Sequence, residues 1–129
     1  MTPIEVARPV AADPSSVALV LAGPAARELW PQQPQRPVAV VNRRRPGLTV
    51  AVEPPRRSGV GFTAGLSVRT DDELVAGGRL TIAPDATTGG CDVRLSLTVH
   101  DTVAAAVGRD AARYLDRLAA VSRARSSSA

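Results

Sequence analysis

Three of the residue types that are able to do acid–base or nucleophilic chemistry occur only once each in this sequence. There is one histidine, His100, one cysteine, Cys91, and one tyrosine, Tyr114. Histidine is the residue type most often used as an acid or base, but the strand pattern described below predicts His100 on a solvated face, where a surface role is favoured over catalysis. Cys91 falls on the apolar face without a neighbouring base, so inert packing is favoured over a nucleophilic role. The candidate catalytic residues are Tyr114 and Asp110.

A long helix near the end of the chain must position this pair. Apolar residues recur every three or four positions across residues 101–123, which predicts one amphipathic α-helix about 34 Å long. Tyr114 lies on the apolar stripe, where its hydroxyl either finds a buried partner or orients a ligand carbonyl. Asp110 lies beside the stripe, and a solvated edge charge is the simpler alternative to a catalytic role. Asp101 precedes the pattern and is the predicted N-cap. The predicted stripe consists of Val103, Val107, Ala111, Tyr114, Leu118 and Val121.

Extended segments before the helix predict an antiparallel sheet. Residues 3–10 read as a first strand, and Asp13-Pro14 favours the start of a short helix, with a second short helix at residues 25–29. Residues 54–59 are predicted as a loop. Further strands are predicted at residues 38–42, 48–53, 60–69, 74–83 and 91–100, joined by short turns into a meander. Glycines at positions 59, 61, 65, 77 and 78 suit bulges and bends, which predicts a curved sheet.

Alternation along the strands predicts which residues face the helix. Alternate residues of each strand are apolar, including Leu74, and the residues between them are mostly polar or small. We expect Trp30 and Phe62 to pack in the core, because large aromatic side chains usually do so, and lining a cavity is the second alternative. The predicted ligand-contacting residues are Trp30, Phe62, Leu66, Leu80, Cys91, Val107 and Tyr114.

Several classes of site lack their sequence signature. There is no spacing of His and Cys typical of metal ligands, and no Ser/His/Asp set with convincing roles, so no metal is expected. The glycines around residues 59–61 do not precede a helix, which argues against a phosphate-binding loop. We therefore expect no cofactor.

Composition sets the domain count and the expected partners. A chain of 129 residues fits one domain at residues 1–125, and residues 126–129 are predicted as a disordered tail. The net charge is +4, but no aromatic residues interleave with the arginines, so no nucleic acid partner is expected.

Apolar runs are too short to cross a bilayer, and one cysteine suggests a reducing cytoplasm. The arginines at residues 43–45 and 56–57 are either solvated turns or a patch for an acidic partner. The oligomeric state is open, with a homodimer among the alternatives.

The order of these elements resembles a known fold. The resemblance rests on the opening segment 4–14, on Trp30-Pro31 after the second short helix, and on the closing segment 101–120 with Arg113-Tyr114-Leu115 and Arg117-Leu118. It is similar to the superfamily that includes START domains, Bet v 1-like proteins and bacterial polyketide cyclase/dehydrase-like proteins, often called SRPBCC. The resemblance implies an α+β helix-grip fold, in which a curved antiparallel sheet wraps around a long C-terminal helix and two short helices follow the first strand.

The resemblance also implies a ligand, and three functions follow as alternatives. Members of that superfamily commonly hold a hydrophobic small molecule between sheet and helix, and some cyclise, dehydrate or hydrolyse it. The first expectation is thus a protein binding such a molecule, with a polyketide cyclase-like activity of specialised metabolism as one form. The second is a non-catalytic lipid or small-molecule carrier or sensor. The third is a protein-interaction module with a filled core.

Overall fold

The first part of the chain contributes one strand and two short helical segments. The computed structural model describes residues 1–23, 26–30, 48–70 and 73–127. Strand β1 (Thr2–Val10) leads into helix α1 (Pro14–Ala22), and a short 3-10 helix follows at Ala26–Leu29. Asp13 is the N-cap of α1 and Pro14 its first residue, as the sequence predicts. The second predicted helix is therefore present as a single 3-10 turn.

The remainder of the described chain contributes the sheet and the long helix. After the last strand, which ends at Val99, a 3-10 turn (Asp101–Val103) passes directly into helix α2 (Ala104–Ser127). The chain is thus an α+β protein, and α2 continues two residues into the segment predicted as a tail. The predicted strand at residues 38–42 and the arginines at residues 43–45 lie outside the described residues. The strands are β2 (Leu48–Val52), β3 (Arg56–Ser58), β4 (Gly61–Thr70), β5 (Glu73–Pro84) and β6 (Cys91–Val99).

The described strands form one open antiparallel sheet in which the two ends of the chain meet. The order is β1-β6-β5-β4-β2, and β3 pairs with β4. Strand β1 pairs with β6 along its whole length, from Thr2 opposite Val99 to Val10 opposite Cys91. Because α2 follows β6 and packs mainly on β1, the closing helix is positioned by the first and last strands together. The segment predicted as a loop at residues 54–59 instead contains β3, with Arg56 opposite Thr63.

The interior strand β6 follows the alternation expected from its sequence. It lies between β1 and β5. Its side chains point alternately to the two faces of the sheet, and the apolar set is buried while Arg94, Ser96 and Thr98 are exposed. His100 is also exposed, as predicted. The buried set consists of Cys91, Val93, Leu95, Leu97 and Val99.

A β-bulge in β5 corrects the face assigned to Leu74. Val68 pairs with Ala76, but its neighbour Arg69 pairs with Leu74, so Val75 has no residue opposite it on β4. An extra residue inverts the alternation on one side of the bulge. Leu74 is consequently 42% exposed on the outer face, and Val75 packs against the core in its place. The bulge occurs at Val75 rather than at the neighbouring glycines.

The buried face of α2 differs from the predicted stripe at its C-terminal end. Val107, Ala111, Tyr114 and Leu118 are buried as expected, but Val121 is 42% exposed. Its place is taken by Leu115 and Ser122, which are seven residues apart and so lie almost above one another on a helix with 3.6 residues per turn. The predicted cap is also different. Asp101 lies inside the 3-10 turn, and its carboxylate accepts a hydrogen bond from Thr2 Oγ1 at 2.6 Å.

Candidate functional site

The two largest fully buried side chains meet between α2 and the sheet. Tyr114 projects from the middle of α2 and is 0% exposed, and Trp30 follows the first 3-10 helix and is 1% exposed. Their ring centroids are 5.5 Å apart and the ring planes are tilted by 44°. This is a favourable geometry for an aromatic pair. The contact brings a residue from the start of the chain against the closing helix.

Both aromatic residues carry a polar atom that has no hydrogen-bond partner among the described residues. These atoms are Trp30 Nε1 and Tyr114 Oη. A buried donor without a partner costs about 1–3 kcal/mol, so such atoms are rare in folded proteins. Burial also raises the pKa of Tyr114, which keeps the hydroxyl protonated and able to donate. The site therefore contains two buried hydrogen-bond donors, carried by two rings that are in contact, in an apolar environment.

A hydrogen bond from α2 holds the segment that carries Trp30. Arg117 Nη1 donates to the backbone oxygen of Leu29 at 3.3 Å. Leu29 is the last residue of the 3-10 helix and directly precedes Trp30. Arg117 lies one turn beyond Tyr114 on α2, so the same part of the helix positions both aromatic rings. Its own side chain is exposed at the rim of the helix.

Asp110 lies one helical turn before Tyr114 and is half-buried. Burial raises the pKa of its carboxyl group, while the positive charges of Arg113, Arg109 and Arg117 act in the opposite direction. A carboxyl group with a raised pKa at the edge of an apolar region is able to exchange a proton closer to neutral pH. The structure thus places both predicted catalytic residues on one side of α2, with Tyr114 inside and Asp110 at the rim.

The predicted ligand-contacting residues gather in one core cluster. Phe62 is half-buried against this cluster, and the guanidinium carbon of Arg57 lies 5.2 Å from its ring centroid. Burial raises the pKa of the Cys91 thiol to about 11, so Cys91 is a packed thiol rather than a thiolate at neutral pH. The cluster includes Trp30, Leu66, Leu80, Cys91, Val107 and Tyr114.

Two surface grooves lie away from these residues. One, of about 430 Å³, runs between the end of β1 and the outer side of α2, next to the ion pair of Arg8 and Asp116. The other, of about 370 Å³, lies where β1 meets β6. Neither groove is lined by a predicted ligand-contacting residue. The side chains of Trp30, Tyr114 and Leu118 between helix and sheet are almost fully buried.

Comparison with known proteins extends to the fold. No protein-family model matches the chain, and no curated protein matches it. The crystal structure of protein CV1439 from Chromobacterium violaceum is similar, with a TM-score of 0.56 and 18% identity over 95% of this chain and 99% of that one. The protein TTHA0849 from Thermus thermophilus has a TM-score of 0.51 and 13% identity, over 96% and 99% of the two chains. Neither name states an activity. The architecture is compatible with a helix-grip fold.

Sequence reasoning missed one buried polar residue of α2. Ser122 is 0% exposed, and its Oγ has no hydrogen-bond partner in the described parts of the chain. Ser122 follows Leu115 by seven residues, or about two helical turns, and this spacing would have predicted it on the same buried face. Across residues 1–23, 26–30, 48–70 and 73–127, no three His, Cys, Asp or Glu side chains are arranged to hold a metal ion. No described helix has the length and apolarity needed to cross a bilayer.

Proposed function

We propose that this protein binds a hydrophobic small molecule between α2 and the sheet, and that Tyr114 and Trp30 donate hydrogen bonds to it. The observation that carries the proposal is the pair of buried donors, Tyr114 Oη and Trp30 Nε1, which have no partner among the described residues. A carbonyl oxygen offers two lone pairs and is able to accept from both. The side chains around the pair are apolar, so the rest of the ligand must be apolar as well.

Binding on this proposal requires α2 and the segment carrying Trp30 to separate. Side chains fill the described interior, and the Trp30–Tyr114 contact occupies its centre. The ligand would take the place of that contact, and the exposed hydrogen bond from Arg117 to Leu29 would loosen. An exposed hydrogen bond of this kind contributes little to stability, so its loss is a small cost. Entry beside Arg117 would bring the ligand past Asp110.

Membership in the SRPBCC superfamily is part of the same proposal. Its support is the order of elements, with a strand, short helical segments, an antiparallel sheet and a long closing helix. The likeness to two solved structures over nearly their full lengths supports the fold. The ligand class remains an inference from the buried donors and from the apolar residues around them.

The bound molecule is either a substrate or a cargo. For a cyclase-like enzyme, Tyr114 would polarise a ligand carbonyl, and Asp110 would transfer a proton at the rim. Most of the rate enhancement would come from holding the ligand in a reactive conformation, because the inner face supplies few polar groups. A carrier or sensor would use the same donors without proton transfer. Asp110→Asn separates the alternatives, since it should abolish turnover while binding is retained.

Native mass spectrometry tests the proposal directly. Protein purified from its own host is measured intact and again after denaturation, and a small apolar molecule should leave when the fold is lost. Tyr114→Phe and Trp30→Phe should each reduce occupancy, whereas Val121→Ala on the exposed side of α2 should not. Equal occupancy in all four proteins would show that the two donors are not part of the site.

A second candidate function is a protein-interaction module with a filled core. The observation in its favour is the close-packed described interior, in which Trp30 and Tyr114 already fill the space between helix and sheet. An interaction module would show no released compound and no thermal stabilisation by any member of an apolar ligand panel. Stabilisation by one compound, lost in Tyr114→Phe, would exclude it.

A further inference from the structure

A third buried polar atom lies on the same helix as Tyr114. Ser122 Oγ is fully buried and has no partner among the described residues, although a serine in a helix often donates to the carbonyl four residues earlier. Tyr114, Leu118 and Ser122 are spaced by four residues and share the buried face of α2. The helix therefore presents two unsatisfied hydroxyl groups toward the interior.

The helix sets how far apart Tyr114 and Ser122 lie along its axis. Ser122 follows Tyr114 by eight residues, which is about 12 Å along the axis at 1.5 Å per residue. Leu118 lies between them and supplies apolar contact. Replacing Ser122 by alanine would remove an unsatisfied buried oxygen and cost no hydrogen bond. A serine that contributed only to packing would therefore be a net cost to the folded protein.

We propose that Ser122 is a second anchoring point of the ligand site, and that the ligand is an elongated apolar molecule with a hydrogen-bond acceptor near each end. This inference rests on the proposed function. One acceptor binds at Tyr114 and Trp30, the other at Ser122, and the apolar middle lies along Leu118. The hydroxyl groups are neutral, so the acceptors are carbonyls, esters or amides rather than carboxylates, whose charge would be costly to bury.

Two esters that differ in one acceptor group test the inference. Dimethyl sebacate carries an ester at both ends of a ten-carbon chain, whose extended length is comparable to the axial rise of about 12 Å between Tyr114 and Ser122, and methyl decanoate carries only one. Affinities for both are measured by calorimetry with wild type, with Ser122→Ala, and with Ser15→Ala, an exposed serine of α1, as the control. Wild type and Ser15→Ala should prefer the diester by about two- to tenfold, the value of one hydrogen bond. Ser122→Ala should bind both esters equally.

The outcomes separate the inference from the proposed function. Equal binding of the two esters by wild type, or a diester preference that survives in Ser122→Ala, overturns the second anchoring point and leaves the site at Tyr114 in place. Binding of neither ester by wild type overturns the inference, and the proposed function is then decided separately by the native mass spectrometry described above. Loss of fold does not complicate the result, because Ser122→Ala should unfold at a higher temperature than wild type.

Discussion

The replacement Tyr114→Phe is expected to stabilise the ligand-free protein, which is opposite to the usual effect at a buried tyrosine. A buried tyrosine hydroxyl normally makes a hydrogen bond, and its removal costs about 1 kcal/mol. Tyr114 Oη has no partner among the described residues, so the folded protein already bears the cost of removing it from water. Phenylalanine keeps the ring contact with Trp30 and removes only the oxygen.

The size of the effect follows from the burial of this oxygen. An unsatisfied buried polar group costs about 1–3 kcal/mol, so Tyr114→Phe should increase the free energy of unfolding by about that amount. In a domain of this length each kcal/mol corresponds to about 3–5 °C in the melting temperature. Tyr114→Ala should have the opposite effect. It removes the fully buried ring as well as the hydroxyl, so it should lower the free energy of unfolding by about 3–5 kcal/mol.

Urea denaturation of protein shown by native mass spectrometry to be free of ligand is the appropriate assay. A ligand bound to the hydroxyl would add stability to wild type and mask the gain. If the free energy of unfolding of both proteins falls equally steeply with urea concentration, the difference in stability lies in the folded state. If ligand-free Tyr114→Phe is less stable than wild type, the hydroxyl has a partner, and the argument for a vacant donor fails.

Three further predictions concern elements around the site. Gly78→Ala should destabilise by about 1–3 kcal/mol in urea denaturation, because its Cβ would overlap the Ser96 carbonyl oxygen and lie 2.9 Å from Leu97 Cα. Gly77→Ala, whose Cβ would lie 3.8 Å from the Leu74 side chain, is the matched control, and equal losses would contradict the argument. Asp110→Asn should raise the melting temperature at neutral pH and not at a pH low enough to protonate Asp110. Because the pKa of Asp110 is raised in the folded protein, its charged form destabilises the fold above that pKa, and this destabilisation disappears as the pH falls and the carboxyl group is protonated. An equal gain in melting temperature at both pH values would show that burial of the Asp110 charge does not cause the gain. Arg117→Gln should shift the emission of Trp30, the one tryptophan, to longer wavelength by freeing the segment at Leu29, with Arg113→Gln as the control. Identical emission from the two variants would mean that the hydrogen bond does not hold Trp30 in place.

Patterns that depend on regular backbone geometry were predictable from the sequence. The start of α1 at Asp13-Pro14, the alternation in β6 and the exposed position of His100 follow from local periodicity and capping, and the structure confirms them. The error at Leu74 arose where periodicity stops. A bulge inserts one residue, and only the pairing with β4 reveals that Val75 is that residue.

The candidate site could be predicted in part. The helical stripe correctly placed Tyr114 inside and Asp110 at the rim, because both positions follow from one helical phase. The stripe included Val121 in place of Ser122, since residue polarity rather than phase guided the choice at the end of the helix. The contact between Trp30 and Tyr114 had no sequence signal, because it depends on how the first 3-10 helix packs on α2.

The sequence by itself determined the class of the protein: an antiparallel sheet, short helical segments after the first strand and one long amphipathic helix at the end. These elements follow from interactions between residues close in the chain, which leave a period in the sequence. Only the tertiary structure decided that β1 pairs with β6, that Trp30 packs on Tyr114, and that three polar atoms are buried without partners in the described chain. Hydrogen-bond satisfaction depends on neighbours that are distant in sequence, so no local pattern is able to encode it.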